Sequence, residues 1–232
     1  MDFFNGIKEV FTTEKYMVTI AEGLKNSLII TAGAVAIGLL LGLIVATIKI
    51  AATRSKYMKV PAFICDVYVA IVRGTPVALQ LFIMAFAVFA IRGFPLIITA
   101  ILTFGINSGA YVAENVRAGI LSVEIGQTEA GRSLGLGYGT TMMRIVIPQA
   151  IKNVIPAIGN EIIALLKETS IVSMVGLIDL TFSAKIVGSG QNMADYLVPM
   201  CVAAMFYLVM VYIIASILKI IERRLRKSDR RN

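Results

Sequence analysis

Apolar residues in this chain gather into long, nearly uninterrupted runs instead of recurring at every second or every third to fourth position. Five such runs stand out, at about 24–48, 60–91, 95–120, 153–176 and 196–221. Roughly 20 apolar residues let a helix cross the hydrocarbon core of a bilayer. The first, third, fourth and fifth runs therefore each predict one crossing. The second is too long for a straight crossing, and Arg73, Gly74, Thr75 and Pro76 interrupt it. A tilt, a kink or an entry along the interface is expected there. No internal repeat, linker or low-complexity tract appears. The pattern predicts an all-α, polytopic membrane bundle of five transmembrane helices in one domain.

Composition sharpens this picture. Of 232 residues, 58% are hydrophobic and 16% charged, against about half and a quarter in soluble domains. The net charge of +8 sits beside the apolar runs, where it sets orientation and meets lipid headgroups, so nucleic-acid binding is not implied. There is no histidine, which removes histidine-based acid–base or metal chemistry. Cys65 and Cys201 lie in apolar runs with neither metal-ligand spacing nor a disulfide framework. The start, MDFFNGIKEVFTTEKYM, lacks the basic beginning and short apolar core of a signal peptide. The first run is therefore expected to remain as a span.

Lysines and arginines fall unevenly between the runs. Lys49, Arg54, Lys56 and Lys59 follow the first run, Arg132, Arg144 and Lys152 follow the third, and a basic stretch from Lys219 to Arg231 ends the chain. The alternate connections hold only Lys8, Lys15, Lys25, Arg92 and Lys185. With an odd number of spans, this bias places the N-terminus outside and the C-terminus in the cytoplasm. The expected division is an extracellular segment 1–22, a transmembrane domain 23–222 and a basic cytoplasmic tail 223–232 that anchors on anionic lipid.

The connection at about 122–150 is long for a membrane protein. Thr128 is expected to cap a short helix with Glu129 in its first turn, where a negative charge suits the dipole. Ala130, Gly131 and Ser133 continue it to Leu134, and Gly135 stops it. Thr140 is expected to cap a second short helix that Pro148 ends. Leu134, Leu136 and Tyr138 are apolar side chains in a water-facing loop. They mark a partner surface or a loop folded back on the helix ends.

Glu129, Ala130, Gly131, Gly135, Ile145, Ile147 and Pro148 are spaced as in the "EAA" motif of ABC-importer permease subunits. Gly131 stands where that motif has its second alanine, and Ile147 where it has leucine. RGTP at 73–76, NSGAYVAENVRAGI at 107–120 and GNEIIALLKETSIVS at 159–173 resemble the polar amino-acid branch of that family. The resemblance extends over about 20–225. It implies a type I importer permease whose loop forms a coupling helix, with Glu129, Ala130, Gly131, Ser133, Leu134, Gly135, Leu136 and Tyr138 facing a cytoplasmic ATPase subunit. It also implies a second permease chain, alike or different, and an extracellular or periplasmic substrate-binding protein. No GxxxxGK[ST] phosphate loop occurs. No catalytic residue, metal or cofactor is assigned to this chain, and ATP and Mg belong to the partner ATPase.

Polar residues within the runs are the candidate substrate pathway. Pro76 has no amide hydrogen and Gly74 loosens the backbone beside it. Such a break is tolerated in a membrane only against protein or a water-filled cavity. One reading is a kink with Arg73 snorkelling. The other is a broken helix beside the substrate route, with Thr75 near the charged ends of an amino acid. Glu114 and Arg117, three apart, can pair on one helical face. Glu161 and Glu168 share a face of the fourth run, with Lys167 beside it, and Asn107 and Asn160 need interior partners. Tyr111 completes the set. A carboxylate at Glu161 would favour a cationic or amide side chain, with packing against a partner permease as its rival role. Ala34, Gly38 and Gly42 are spaced for close helix packing. An ion-coupled secondary transporter is the alternative function, although such carriers are commonly built from repeats that this chain lacks.

Overall fold

A computed structural model describes residues 3–189 and 193–227. Residues 228–232 of the expected basic tail lie outside them. Among the described residues the elements are helical, with no strand. In order they are α1 (Phe3–Thr12), α2 (Glu14–Ala52), a 3-10 turn (Lys56–Met58), α3 (Lys59–Gly74), α4 (Val77–Ile83), a π-turn (Met84–Val88), α5 (Leu96–Leu121) and α6 (Ile125–Ser133). There follow α7 (Tyr138–Thr141), a π-turn (Met142–Val146), α8 (Ile147–Glu168), a 3-10 segment (Thr169–Val175), α9 (Leu180–Gly188) and α10 (Met193–Lys227). Helices are what hydrocarbon permits, because each satisfies its backbone polar groups internally.

Three helices, α2, α5 and the Tyr196–Leu225 stretch of α10, are long and apolar enough to cross a membrane. Two bent pairs bring the total to five when each pair is counted as one span. One is Lys56–Gly74 with Val77–Val88, bent by 105°. The other is Tyr138–Val175 with Leu180–Gly188, bent by 49°. The five expected crossings are thus matched in number, but two of them are broken.

The chain divides into two compact units. Unit 1 comprises Met1–Ala36, Thr75–Gly105 and Ile163–Ile214. One of its cores joins Ile30 and Ala34 of α2, Leu81 of α4, Ala100 and Phe104 of α5, and Leu165 of α8. A second joins Val10 of α1, Ile20 of α2, Leu180 and Ala184 of α9, and Val202 and Ala203 of α10. Beside these lies a polar knot. Asp179, fully buried, accepts from the Thr181 and Phe182 amides and so caps α9. The Tyr207 hydroxyl donates to it at 3.1 Å, and the Asn26 side-chain amide donates to the Ile178 carbonyl at 2.8 Å.

Unit 2 comprises Ile37–Gly74, Ile106–Ile162 and Ala215–Asn232. Its core joins Val45 of α2, Cys65, Val69 and Val72 of α3, and Ala110 and Ala113 of α5. Gly38 and Gly42 let α2 and α5 approach closely. A Cβ added at Gly38 would lie 2.8 Å from Ser108, and one at Gly42 would lie 2.4 Å from Val112. The small-residue spacing therefore does what the sequence led us to expect.

Several local expectations need correction. The first apolar run is embedded in a helix that starts at Glu14, and α1 precedes it. Thr128 caps nothing: α6 starts at Ile125, with Glu124 at its N-cap position and no side-chain cap bond. Thr128 is an interior residue because a helical turn forms before it. Thr140 is not a cap either, since Gly137 precedes α7. Pro148 does not end the second helix but sits second in α8. The reason is the π-turn before it. The Ile147 amide reaches back to Met142, and this wider turn accommodates a ring that would clash with the carbonyl four residues back in a regular helix.

Candidate functional site

Two regions carry the residues singled out from the sequence. The first is the segment from α6 to α7, in unit 2. α6 ends where Gly135 takes φ +78°, a left-handed conformation that costs other L-residues about 1–2 kcal/mol. The Gly135 amide donates to the Arg132 carbonyl at 3.0 Å and the Leu136 amide to the Gly131 carbonyl at 3.2 Å. Together these bonds form a Schellman turn that satisfies the last carbonyls of α6. The Arg132 guanidinium also donates to the Leu136 carbonyl at 3.2 Å. The turn brings α7 back onto α6. Gly131 is buried, and a Cβ there would lie 2.6 Å from the Thr141 methyl. The glycine in place of the second alanine therefore lets the two short helices touch.

Further contacts brace this segment. Gln149 of α8 bonds Gln127 at 3.2 Å, and Asn153 of α8 bonds Ser122 at 2.8 Å. Leu134 is 80% exposed and Ile125 76%, and Glu129, Ala130, Ser133 and Gly135 are exposed beside them. Leu136 and Tyr138 are half-buried, not fully water-facing as expected. Tyr138 is covered by Arg54, whose guanidinium carbon lies 3.1 Å from the ring centroid.

The second region begins at the break between α3 and α4. Pro76 occupies the N-cap position of α4 with ψ 133°, and the residue before a proline is itself pushed toward extended backbone. Gln80 folds back onto the break. Its side-chain amide donates to the Thr75 hydroxyl oxygen at 2.8 Å and to the Thr75 carbonyl at 3.2 Å. Thr75 is exposed, as are Arg73 and Gly74.

The Glu114–Arg117 pair is real, at 2.8 Å, and belongs to a larger cluster in unit 2. Lys49 of α2 lies 2.7 Å from Glu114 and 2.9 Å from Asp66 of α3. Arg73 stands 3.9 Å from Glu114, with its guanidinium carbon 5.2 Å from the centroid of the Tyr111 ring. Arg73 therefore pairs, and one carboxylate serves three cations on three helices. Lys49 and Asp66 are absent from the sequence-based candidates. Their signal was weak, because a basic residue at the end of an apolar run also reads as a topology marker.

The remaining pathway candidates are dispersed. Asn107 is buried and Asn160 exposed, both in unit 2. Glu161 is half-buried beside Ser108 of α5, the residue after Asn107. Lys167 is exposed and Glu168 half-buried, and both belong to unit 1 with Thr75. Among the described residues no group of three or more cysteine or carboxylate side chains could hold a metal ion.

Comparison with known proteins supplies the context for this geometry. Residues 38–227 match the family described as binding-protein-dependent transport system inner membrane component. The chain is 39% identical over 212 residues to the arginine transport system permease protein ArtQ of Bacillus subtilis (strain 168), covering 90% of this chain and 94% of that one. It is 39% identical over 220 residues to the putative glutamine transport system permease protein GlnP of Rickettsia bellii (strain RML369-C), covering 94% of each. A crystal structure of an amino acid ABC transporter with histidines superposes with a TM-score of 0.82 at 38% identity, over 92% of this chain and 97% of that one. The inward-facing MetNI methionine ABC transporter shares the fold, with a TM-score of 0.75 at 21% identity over 92% of this chain and 99% of that one. On a family match across most of its length, and on relatives aligned over nearly the whole of both chains, this chain belongs to the binding-protein-dependent transport system inner membrane components.

Proposed function

We propose that this chain is the permease subunit of an ATP-driven importer of polar amino acids, with a preference for cationic or amide side chains. The observation that carries this reading is its likeness, end to end, to permeases named for arginine and for glutamine transport. The half-buried Glu161 carboxylate fits the same preference. It attracts a guanidinium or ammonium group and accepts hydrogen bonds from an amide. Arg73, Gly74, Thr75, Asn107, Tyr111, Asn160, Glu161, Lys167 and Glu168 are the proposed substrate-pathway residues.

The segment Glu129–Tyr138 is the proposed handle for a cytoplasmic ATPase subunit, where ATP and Mg are bound. A handle must be stiff and must offer a surface to grip. The Schellman turn and the close α6–α7 contact supply the stiffness, and the exposed apolar side chains of Ile125 and Leu134 supply the surface. Closure of an ATPase pair would displace the handles of two permease chains, and the spans would alternate between inward-open and outward-open arrangements. A substrate-binding protein would deliver the amino acid from outside. Most lysines and arginines fall in unit 2, the handle among its segments, which agrees with a cytoplasmic handle and C-terminus and an external N-terminus.

Uptake by the reconstituted complex in liposomes tests this reading. Labelled arginine, glutamine, glutamate and leucine would be offered with ATP inside, or with an ion gradient and no ATP. ATP-dependent uptake of arginine or glutamine is expected. Uptake driven by the gradient alone would replace this reading with an ion-coupled carrier.

A further inference from the structure

The end of α2 and the turn that follows it make two links within unit 2. Arg54 stacks on Tyr138, which opens α7 inside the proposed handle. Its own amide is tied to the end of α2, donating to the Ala51 carbonyl at 3.1 Å. A guanidinium laid over a ring holds position as well as charge, and a lysine cannot copy its plane. One and a half turns earlier, Lys49 holds Glu114 at 2.7 Å. Both of these side chains are largely covered, at 15% and 17% exposure.

Glu114 divides its charge unequally. Lys49 and Arg117 sit at 2.7 and 2.8 Å, whereas Arg73 stands off at 3.9 Å. Arg73 is two residues before Thr75, where the helix breaks. Lys49 holds Oε1 while Arg117 and Arg73 approach Oε2, so a shift of Lys49 reaches Arg73 by turning the shared carboxylate. The contacts run without interruption from Tyr138 to Arg54, through the end of α2 to Lys49, and through Glu114 to Arg73.

We propose that Arg54, Lys49 and Glu114 are positioning residues that relay movement of the Glu129–Tyr138 segment to Arg73 at the helix break. The relay rests on the reading of that segment as the ATPase handle. Docking itself does not need Arg54, which lies outside the handle, so Arg54 variants separate relay from docking.

The test uses the full complex in liposomes, with arginine and glutamine as probes. It reads capture of the ATPase subunit, hydrolysis without substrate, and stimulation by the loaded binding protein. Arg54→Met is expected to keep capture and unstimulated hydrolysis while stimulation falls at least about fivefold, the low end of measured couplings between sites. Arg54→Lys should fall between Arg54→Met and the unmodified chain. A double-mutant cycle of Arg54→Met with Glu114→Gln should be non-additive, since both interrupt one series. Normal stimulation in Arg54→Met overturns the relay. Should that variant misfold and lose capture, normal stimulation in Arg54→Lys overturns it. ATPase capture that persists in Gly135→Val overturns instead the handle reading on which the relay rests.

Discussion

The Leu136 amide donates to the Gly131 carbonyl at 3.2 Å, across a glycine with φ +78°. This one bond depends on a backbone conformation that side chains other than glycine and asparagine resist. Gly135→Val should therefore unwind the end of α6 and abolish substrate-stimulated ATP hydrolysis while leaving membrane insertion intact. Gly135→Asn should retain most of the activity, and Gly135→Ala should fall between, with a cost of about 1–2 kcal/mol. Equal activity across this series would remove the turn from the coupling account.

Glu114 is the shared acceptor for Lys49, Arg117 and Arg73. Glu114→Gln leaves Arg117 and Arg73 without a carboxylate and Lys49 with Asp66 alone. Removing one partner of a fully buried pair costs about 3–5 kcal/mol. Glu114 is 17% exposed, so a loss on the order of 2 kcal/mol is expected. Asp66→Asn, at a site 59% exposed, should cost well under about 1 kcal/mol. Thermal unfolding of the two variants in detergent checks the contrast.

Gly42 and Gly139 make a matched pair of tests for packing. A Cβ at Gly42 would lie 2.4 Å from a Val112 methyl and 3.0 Å from the Ala113 amide nitrogen, whereas one at Gly139 meets nothing within 4 Å. Gly42→Val should lower both the yield of folded protein and its melting temperature. Gly139→Ala should leave both unchanged, because its side chain enters open space.

Glu161 tests recognition. Replacing its carboxylate in Glu161→Gln removes the attraction for a cation but keeps a hydrogen-bonding amide. Arginine uptake should weaken at least about tenfold relative to glutamine uptake, a difference of about 1.4 kcal/mol. Equal loss for both substrates would assign Glu161 to its Ser108 contact and not to recognition.

Asp179 tests a feature that the pattern of apolar runs concealed. The Tyr207 hydroxyl and two α9 amides converge on its carboxylate. Asp179→Ala should destabilise the fold by about 1–2 kcal/mol for the cap alone, plus the loss of the Tyr207 bond, after which that hydroxyl keeps the Thr169 hydroxyl at 3.3 Å. Tyr207→Phe should cost less, since the α9 amides would keep their acceptor.

What the sequence made legible follows from the reach of each signal. The five crossings register because hydrocarbon demands long apolar runs, and a glycine free to take the left-handed conformation placed the α6 stop at Gly135 correctly. Cap assignments failed where the signal was weak. Thr128 and Thr140 have the chemistry of caps, but the helices begin three and two residues earlier, at Ile125 and Tyr138. Pro148 reads as a terminator until a π-turn is seen to absorb its ring. α9 was missed because its apolar residues merge with the flanking runs, although Asp179 ahead of Leu180 and Thr181 is a legible cap. The Glu114 cluster was half legible. Arg117 is a near neighbour in sequence, whereas Lys49 lies 65 positions away, a separation that a single sequence does not bridge.

Leu134 is the most direct probe of the central claim, because its side chain is 80% exposed in the proposed handle. Cysteine would be placed there by Leu134→Cys, with Cys65 and Cys201 replaced, and the complex treated with a short membrane-impermeant crosslinker applied from the cytoplasmic side. A handle gripped from the cytoplasm predicts a crosslinked adduct with the ATPase subunit whose yield changes when ATP is added. Labelling of Leu134→Cys from the external side, with no adduct to the ATPase, would contradict it.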